Sequence, residues 1–317
     1  KASKTDFKLI LQAWEKWGEY LTSTTGKVSA STFKNSYGQT YKALAKCSQS
    51  EDIDSLLLNV GKQHESGCRT RQQNIRRVVA CLRWATSSKG KFILDPDVWT
   101  APREGQLGDY IGSKSRELTI KTDNPTTPIS DEDFFLLLDS LKDKLNDKNA
   151  NVRAQAEKWD LALRLTRVFG LRPIELQYLQ IRKNGKFTLW CTYSKRTSTG
   201  GTEARRLFPI HKNWCEDWKL IEKVRSGAPL PSMKSGGGQA FGTYFRFNET
   251  WKKLQKKGIS AYSLRHAYAV AGHEKYNLNA SILAPAMGHS VEVHNRSYSR
   301  WYGEKYLEDI FENATQS

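Results

Sequence analysis

The chain has 317 residues, with 50 Lys and Arg against 33 Asp and Glu, a formal charge of +17, and ten Trp. Such length and aromatic content support a sizeable folded core; no stretch approaches the roughly 20 apolar residues that cross a bilayer, and no signal-peptide core stands near Lys1, so a cytoplasmic protein without a membrane partner is expected. Residues 1–115 carry a balance of +7 and the remainder +10, so the excess covers both halves and suits a polyanion, foremost nucleic acid.

Residues 6–90 read as helices. In "DFKLILQAWEKWGEYL" apolar residues recur at three- and four-residue steps, and "SASTFKNSYGQTYKALAKC" opens on Ser and Thr capping candidates. "RTRQQNIRRVVACLRWATSSKG" sets Ile75, Val78, Val79 and Leu82 on one stripe. Arg69, Arg71, Arg76, Arg77 and Arg83 lie largely around it, as a set of phosphate contacts would. From about 100 to 129 periodicity disappears into a Gly-, Pro-, Ser- and Thr-rich stretch, which marks a linker.

A helix restarts at "ISDEDFFLLLDSLKDKL", with Ser130 as N-cap and acids in its first turn. "AEKWDLALRLTRVF" is a helix stopped by Gly170, and Pro173 suits the start of another. "FTLWCTYSK" and "RRLFPI" alternate like strands joined by the turn "RTSTGGTEA". "KSGGGQAFG" lacks the GK[ST] ending of a phosphate-binding loop and reads as a plain loop. "TYFRFNETWKKLQKKG", "YSLRHAYAVAGH" and the segment "MGHSVEVHNRSYSRWY" are helical. The fold class expected is α+β, mainly α, with a small antiparallel sheet against many helices.

The five cysteines, Cys47, Cys68, Cys81, Cys191 and Cys215, are odd in number, scattered and never in a CxxC pair. They read as reduced thiols rather than a disulfide frame or zinc site. "GHEKY" lacks the second histidine of HExxH, so neither metal nor cofactor is expected.

In "MGHSVEVHNRSYSRWY", His289 and Tyr298 would stand about 13 Å apart on opposite faces of one unbroken helix. Gly288 can end the first helix and Ser290 can cap a second beginning at Val291. The fold-back lets His289 approach a tyrosine. Val291, Asn295, Tyr298 and Tyr302 would share a face of the second helix, which leaves Tyr298 and Tyr302 in competition. Arg172 precedes a helix start, Tyr262 and Arg265 lie three residues apart, and Lys195 ends a strand. Arginines, a lysine, a histidine and a tyrosine without metal suit phosphodiester transfer: Arg forks hold phosphate oxygens, and a phenol forms the covalent intermediate.

These stretches resemble the tyrosine recombinase (phage integrase) family, whose pattern is Arg, Lys, His-x-x-Arg, His or Trp, then Tyr. "GLRPIEL" matches the first box with Arg172 and its supporting acid Glu175, and Lys195 matches the hairpin lysine. "YSLRH" supplies Arg265, and "MGHS" supplies His289. The family nucleophile nine residues further on is Tyr298. The wording is particularly similar to cyanobacterial-type integrases. Tyr262 departs from the family, which usually has histidine there; a phenol can donate to phosphate but is a poor proton shuttle at neutral pH.

The resemblance implies a helical core-binding domain over 1–115, a linker over 116–128 and a catalytic domain over 129–317. It implies a site-specific recombinase that acts on double-stranded DNA through a 3′-phosphotyrosyl bond, as a homo-oligomer (dimer or tetramer). In that scheme Arg172 and Arg265 hold the phosphate, His289 and Tyr262 add hydrogen bonds, Lys195 protonates the leaving oxygen, and Glu175 orients its neighbours. The tail "GEKYLEDIFENATQS" then forms a short helix that docks on a neighbouring subunit or packs on its own domain. A hairpin telomere resolvase fits the same boxes, and a DNA-binding regulator that lost activity is the non-enzymatic alternative.

Overall fold

The computed structural model describes residues 4–26, 28–113, 126–194, 196–197, 200–201, 203–233, 237–301 and 312. Lys195, most of the expected linker, Tyr302 and nearly all of the C-terminal tail lie outside the described residues. The chain separates into two compact units, Lys1–Asp123 and Asn124–Ser317.

The first unit is built on helix α1 (Lys4–Thr22), a helical run over 30–45, α2 (Ile53–Lys62) and α3 (Arg69–Ala85). Its ends are local chemistry. Ser29 Oγ accepts from the Thr32 N–H, and Asp52 and Ser55 cap each other's backbone at the start of α2. The stripe Ile75, Val78, Val79 and Leu82 is at most 1% exposed and packs with Trp14, Leu44, Leu56 and Leu57. One polar pair crosses this core: Thr40 Oγ1 donates to Asn74 Oδ1 at 2.8 Å.

The second unit begins with α4 (Asp131–Asp139), where Ser130 Oγ accepts from the Asp133 N–H as expected. Next comes α5 (Ala150–Phe169), a 20-residue helix ended by Gly170 in the left-handed region, φ 61°. Pro173 opens a 3₁₀ turn, Pro173–Tyr178.

The sheet has three strands in the order β1 (Leu179–Asn184), β2 (Lys186–Cys191) and β3 (Arg205–Arg206), all antiparallel, with Leu179 opposite Cys191 and Trp190 opposite Arg206. Strand β1 was not expected from the pattern. It is an edge strand of which only Leu179 and Ile181 are even half-buried, so it carries little apolar alternation. Beyond β2, the two-residue stretches Arg196–Thr197 and Gly200–Gly201 pair with each other.

The segment read as a loop is corrected in part, since Gly237–Phe245 is a helix, α6. Its Phe241 and Phe245, one turn apart, pack against Trp159 and Trp251 and outweigh the poor helix propensity of the glycines. The following run is two helices rather than one: Asn248 Oδ1 caps α7 (Glu249–Lys256) at the Trp251 N–H.

Three last helices position the site: α8 (Ser263–Glu274), α9 (Ala280–Met287) and α10 (Val291–Tyr298). The break between α9 and α10 is the one expected, with Gly288 at φ 71° and Ser290 Oγ accepting from the Val293 N–H. It brings the His289 and Tyr298 ring centroids to 5.8 Å. Among the described residues, no helix is long and apolar enough to cross a membrane.

Candidate active site

Glu175 is the hub of the site. Standing in the first turn after Arg172, its carboxylate accepts from the Arg172 backbone N–H at 2.9 Å and from Arg172 Nη1 at 2.6 Å. Arg205 Nη2, from β3, donates to the same carboxylate at 2.8 Å, and Arg265 Nη1 stands 3.7 Å away. Glu175 is fully buried. Burial pushes its carboxyl pKa up, but Arg205, Arg265 and Arg172 together outweigh that and hold it below the ordinary value, so it is charged at neutral pH.

The three guanidinium groups share a second anchor. The last carbonyls of a helix have no partner within it and carry the negative end of its dipole. At the end of α9 these are satisfied in turn: Ala286 O accepts from Arg205 Nε (3.0 Å), Met287 O from Arg265 Nη2 (2.6 Å) and Gly288 O from Arg172 Nη2 (3.0 Å). Gly288 is confined by more than its φ, because a Cβ there would stand 2.7 Å from Arg205 Nη1. At the end of α5, Gly170 O accepts from Arg265 Nη1 at 2.5 Å. Three positive charges against one carboxylate leave a net of about +2, carried by side chains of the 3₁₀ turn and its N-cap, β3 and α8.

Tyr298 is 3% exposed and lies among the rings of His294, His266, Trp301 and His289, with centroids at 4.6, 5.5, 5.6 and 5.8 Å. Burial raises its phenol pKa; the positive charges of Arg265 and Arg172 oppose the rise without cancelling it. The resting phenol is therefore neutral, yet it lies in the field of a guanidinium that would stabilise the phenolate. His289 Nδ1 lies 3.2 Å from Arg265 Nη2 and its Nε2 2.9 Å from His294 Nδ1; His294 Nε2 lies 2.8 Å from His273 Nε2. Burial, then Arg265, pulls His289 down to about 3, and burial, then His273, pulls His294 down to about 4, so both are neutral at pH 7. Among the described residues, no group of three or more His, Cys, Asp or Glu side chains could hold a metal ion.

The structure thus brings together Arg172, Glu175, Arg265, His289 and Tyr298. Tyr262 sits at the start of α8, 43% exposed and within electrostatic reach of Tyr298. Lys195 and Tyr302 lie outside the described residues. His266 stacks on Trp301 at 4.5 Å. Arg205, His294 and His273 were not anticipated. On the last helix Val291 and Asn295 are exposed, and the buried residues are His294 and Tyr298, four residues apart. That i, i+4 spacing was a signal available in the sequence.

The arginines of α3 divide. Arg69, Arg76 and Arg83 are exposed, Arg76 pairing with Glu104 at 3.3 Å and Arg83 donating to Pro102 O. Arg71 and Arg77 are half-buried staples. Arg71 donates to Tyr110 O, and Arg77 to Ser36 O and Thr40 Oγ1, with its guanidinium 4.4 Å from the Tyr37 ring centre.

A mainly helical unit with a small three-stranded antiparallel sheet is shared with solved structures. The Tn1549 transposon integrase, solved in complex with transposon right end DNA, superposes with a TM-score of 0.54 at 17% identity, over 91% of this chain and 94% of that one. A lambda integrase dimer bound to a COC′ core site gives a TM-score of 0.52 at 14% identity, over 90% and 94%. The fold is that of the tyrosine recombinases, and the family resemblance read from the sequence is borne out.

By sequence, the chain is similar to two proteins of Nostoc sp. strain PCC 7120. It is 26% identical to Excisase A over 174 residues, 52% of this chain and 35% of that protein. It is 28% identical to Excisase C over 208 residues, 59% of this chain and 39% of that protein. The chain therefore spans under two fifths of the length of these relatives. No family model matches the chain.

Proposed function

We propose that this chain is a site-specific DNA recombinase that cuts and rejoins strands of double-stranded DNA through a phosphotyrosyl intermediate. The observation that carries the reading is the convergence of Arg172, Arg205 and Arg265 on Glu175 and the end of α9, with the buried Tyr298 phenol within the electrostatic reach of Arg265. A phosphodiester undergoing transfer gains negative charge on its oxygens, and fixed guanidinium groups in a dry site stabilise that charge without reorganising.

In this scheme the Tyr298 oxygen forms a bond to the scissile phosphorus as the bond to the 5′ oxygen breaks. The phenol proton passes to water, and the 5′ oxygen takes a proton from Lys195, a role carried over from the family pattern. Arg172, more open than Arg265, faces the phosphate, and Arg265 stabilises both phosphate and phenolate. Glu175 holds all three guanidinium groups, and Tyr262 at the rim donates to phosphate. A second strand's 5′-hydroxyl reverses the step, conserving the bond energy. The exposed arginines of α3 bind backbone phosphates, and exchange between two duplexes calls for a homo-oligomer. The name excisase of the two Nostoc proteins supports excision as one outcome of this chemistry.

A nicked suicide DNA substrate, which loses the fragment bearing the 5′-hydroxyl, tests the reading. The wild-type protein should accumulate as a covalent adduct, and Tyr298→Phe should abolish it while leaving DNA binding intact. Loss of the adduct in Tyr302→Phe but not in Tyr298→Phe would move the nucleophile. Binding with no adduct from the wild type would leave a regulator that kept the fold.

A further inference from the structure

The mechanism above makes no use of two fully buried histidines, His273 and His294, 2% and 0% exposed. Buried imidazoles need partners for both nitrogens, and here the partners fix a direction. Arginine can only donate, so His289 Nδ1, 3.2 Å from Arg265 Nη2, must be the bare, accepting nitrogen. The proton of neutral His289 is then on Nε2, which donates to His294 Nδ1 at 2.9 Å. The proton of His294 is on its Nε2, which donates to His273 Nε2 at 2.8 Å. His273 must therefore carry its proton on Nδ1, and it does have a hydrogen bond to the Leu278 backbone. Because the Leu278 N–H is already donated to Gly272 O, the group that receives it is the carbonyl. Every ring nitrogen is satisfied in one arrangement, and a second proton on any link would set two donors face to face.

We propose that His294 and His273 are positioning residues for strand cleavage: with His289 they form a one-way chain of neutral imidazoles that presents His289 Nδ1 to Arg265 and so aims its guanidinium. Of the five N–H donors of Arg265, one is given to Gly170 O, one to Met287 O and one to His289 Nδ1. Two remain for the phenolic oxygen and a phosphate. A His289 with the opposite tautomer would point a donor at the guanidinium and turn it. In this state both nitrogens of His289 are engaged, so its contribution to the site passes through Arg265 rather than through a direct bond to phosphate. The chain also ties α8, which carries Arg265 and His273, to α10, which carries His294 and the nucleophile.

This inference rests on the recombinase reading, and its test has one arm that does not. Long-range ¹H–¹⁵N spectra of the full chain labelled on histidine report each tautomer. At pH 7, His289 and His294 should be protonated on Nε2 and His273 on Nδ1; a charged ring, or Nδ1–H at His289, would overturn the proposal. In the second arm, single-turnover cleavage of the suicide substrate should slow in His294→Phe by on the order of tenfold to a hundredfold, with DNA affinity unchanged. His294→Gln keeps one acceptor and a donor, so it should recover most of that rate. Wild-type rates in His294→Phe, or equal losses in the two variants, would overturn the proposal. A wild-type protein that forms no adduct would sink the recombinase reading instead, and the spectra would still decide the tautomers.

Discussion

Replacing Glu175 by Gln tests the claim that one carboxylate holds three guanidinium groups in a buried site. The substitution keeps the shape and one acceptor oxygen. It removes the negative charge and points an amide N–H₂ at either Arg172 Nη1 or Arg205 Nη2, which now lie 2.6 and 2.8 Å from carboxylate oxygens. Breaking a buried ion pair from one side costs about 3–5 kcal/mol. The helix-end carbonyls still receive the arginines, so the lower end, about 3 kcal/mol, is expected. For a unit of this size each kcal/mol moves the midpoint by roughly 2–4 °C, so thermal unfolding should drop by roughly 6–12 °C. The sign with pH follows from the lowered carboxyl pKa. The contribution is fully present above the unfolded-chain value of about 4.3 and is lost as pH falls through the lower folded-state value. The gap between wild type and variant, read by urea unfolding at a series of pH values, should therefore be full at pH 7 and shrink on acidification below about pH 4. A gap under about 1 kcal/mol at pH 7, or one that widens in acid, would refute the hub role.

Gly288→Ala should cost about 1–3 kcal/mol, because φ 71° strains any side chain and the new Cβ meets Arg205; adduct formation should fall with it as Arg205 and Arg172 are displaced. Arg205→Met should lower both thermal stability and the cleavage rate while DNA affinity holds, since the variant removes a tie to Glu175 rather than a surface charge. In the first unit, Arg69→Ala should reduce the slope of log affinity against log salt by about 1. Arg77→Ala should instead appear mainly as lost stability, because its guanidinium is spent on Ser36, Thr40 and Tyr37. If both arginine variants change only the salt slope, the division of α3 into phosphate contacts and staples is wrong.

What could be read from the residues alone was what local chemistry decides. Ser130, Ser290, Gly170 and Gly288 end or begin helices through bonds to residues within a turn, and each does so where expected. Apolar stripes reported burial correctly for Ile75, Val78, Val79 and Leu82. The same logic fails inside the site, because there the buried face is polar. Helical spacing groups Val291 and Asn295 with Tyr298 on one face and passes over His294, yet Val291 and Asn295 are exposed and His294 has no exposure. Strand alternation says that Arg205 and Arg206 face opposite ways, but not which of them meets Glu175. The bonds that make the site link distant parts of the chain: Arg172 to Gly288, Arg265 to Gly170, Arg205 to Ala286. No periodicity encodes such pairs, and only the resemblance to a family named Arg172, Arg265 and Tyr298 together. Yet resemblance transfers only residues that its pattern contains. Arg205 and the two histidines behind His289 lie outside that pattern, and they became visible through a requirement that is physical rather than familial: every buried donor, acceptor and charge must have its partner.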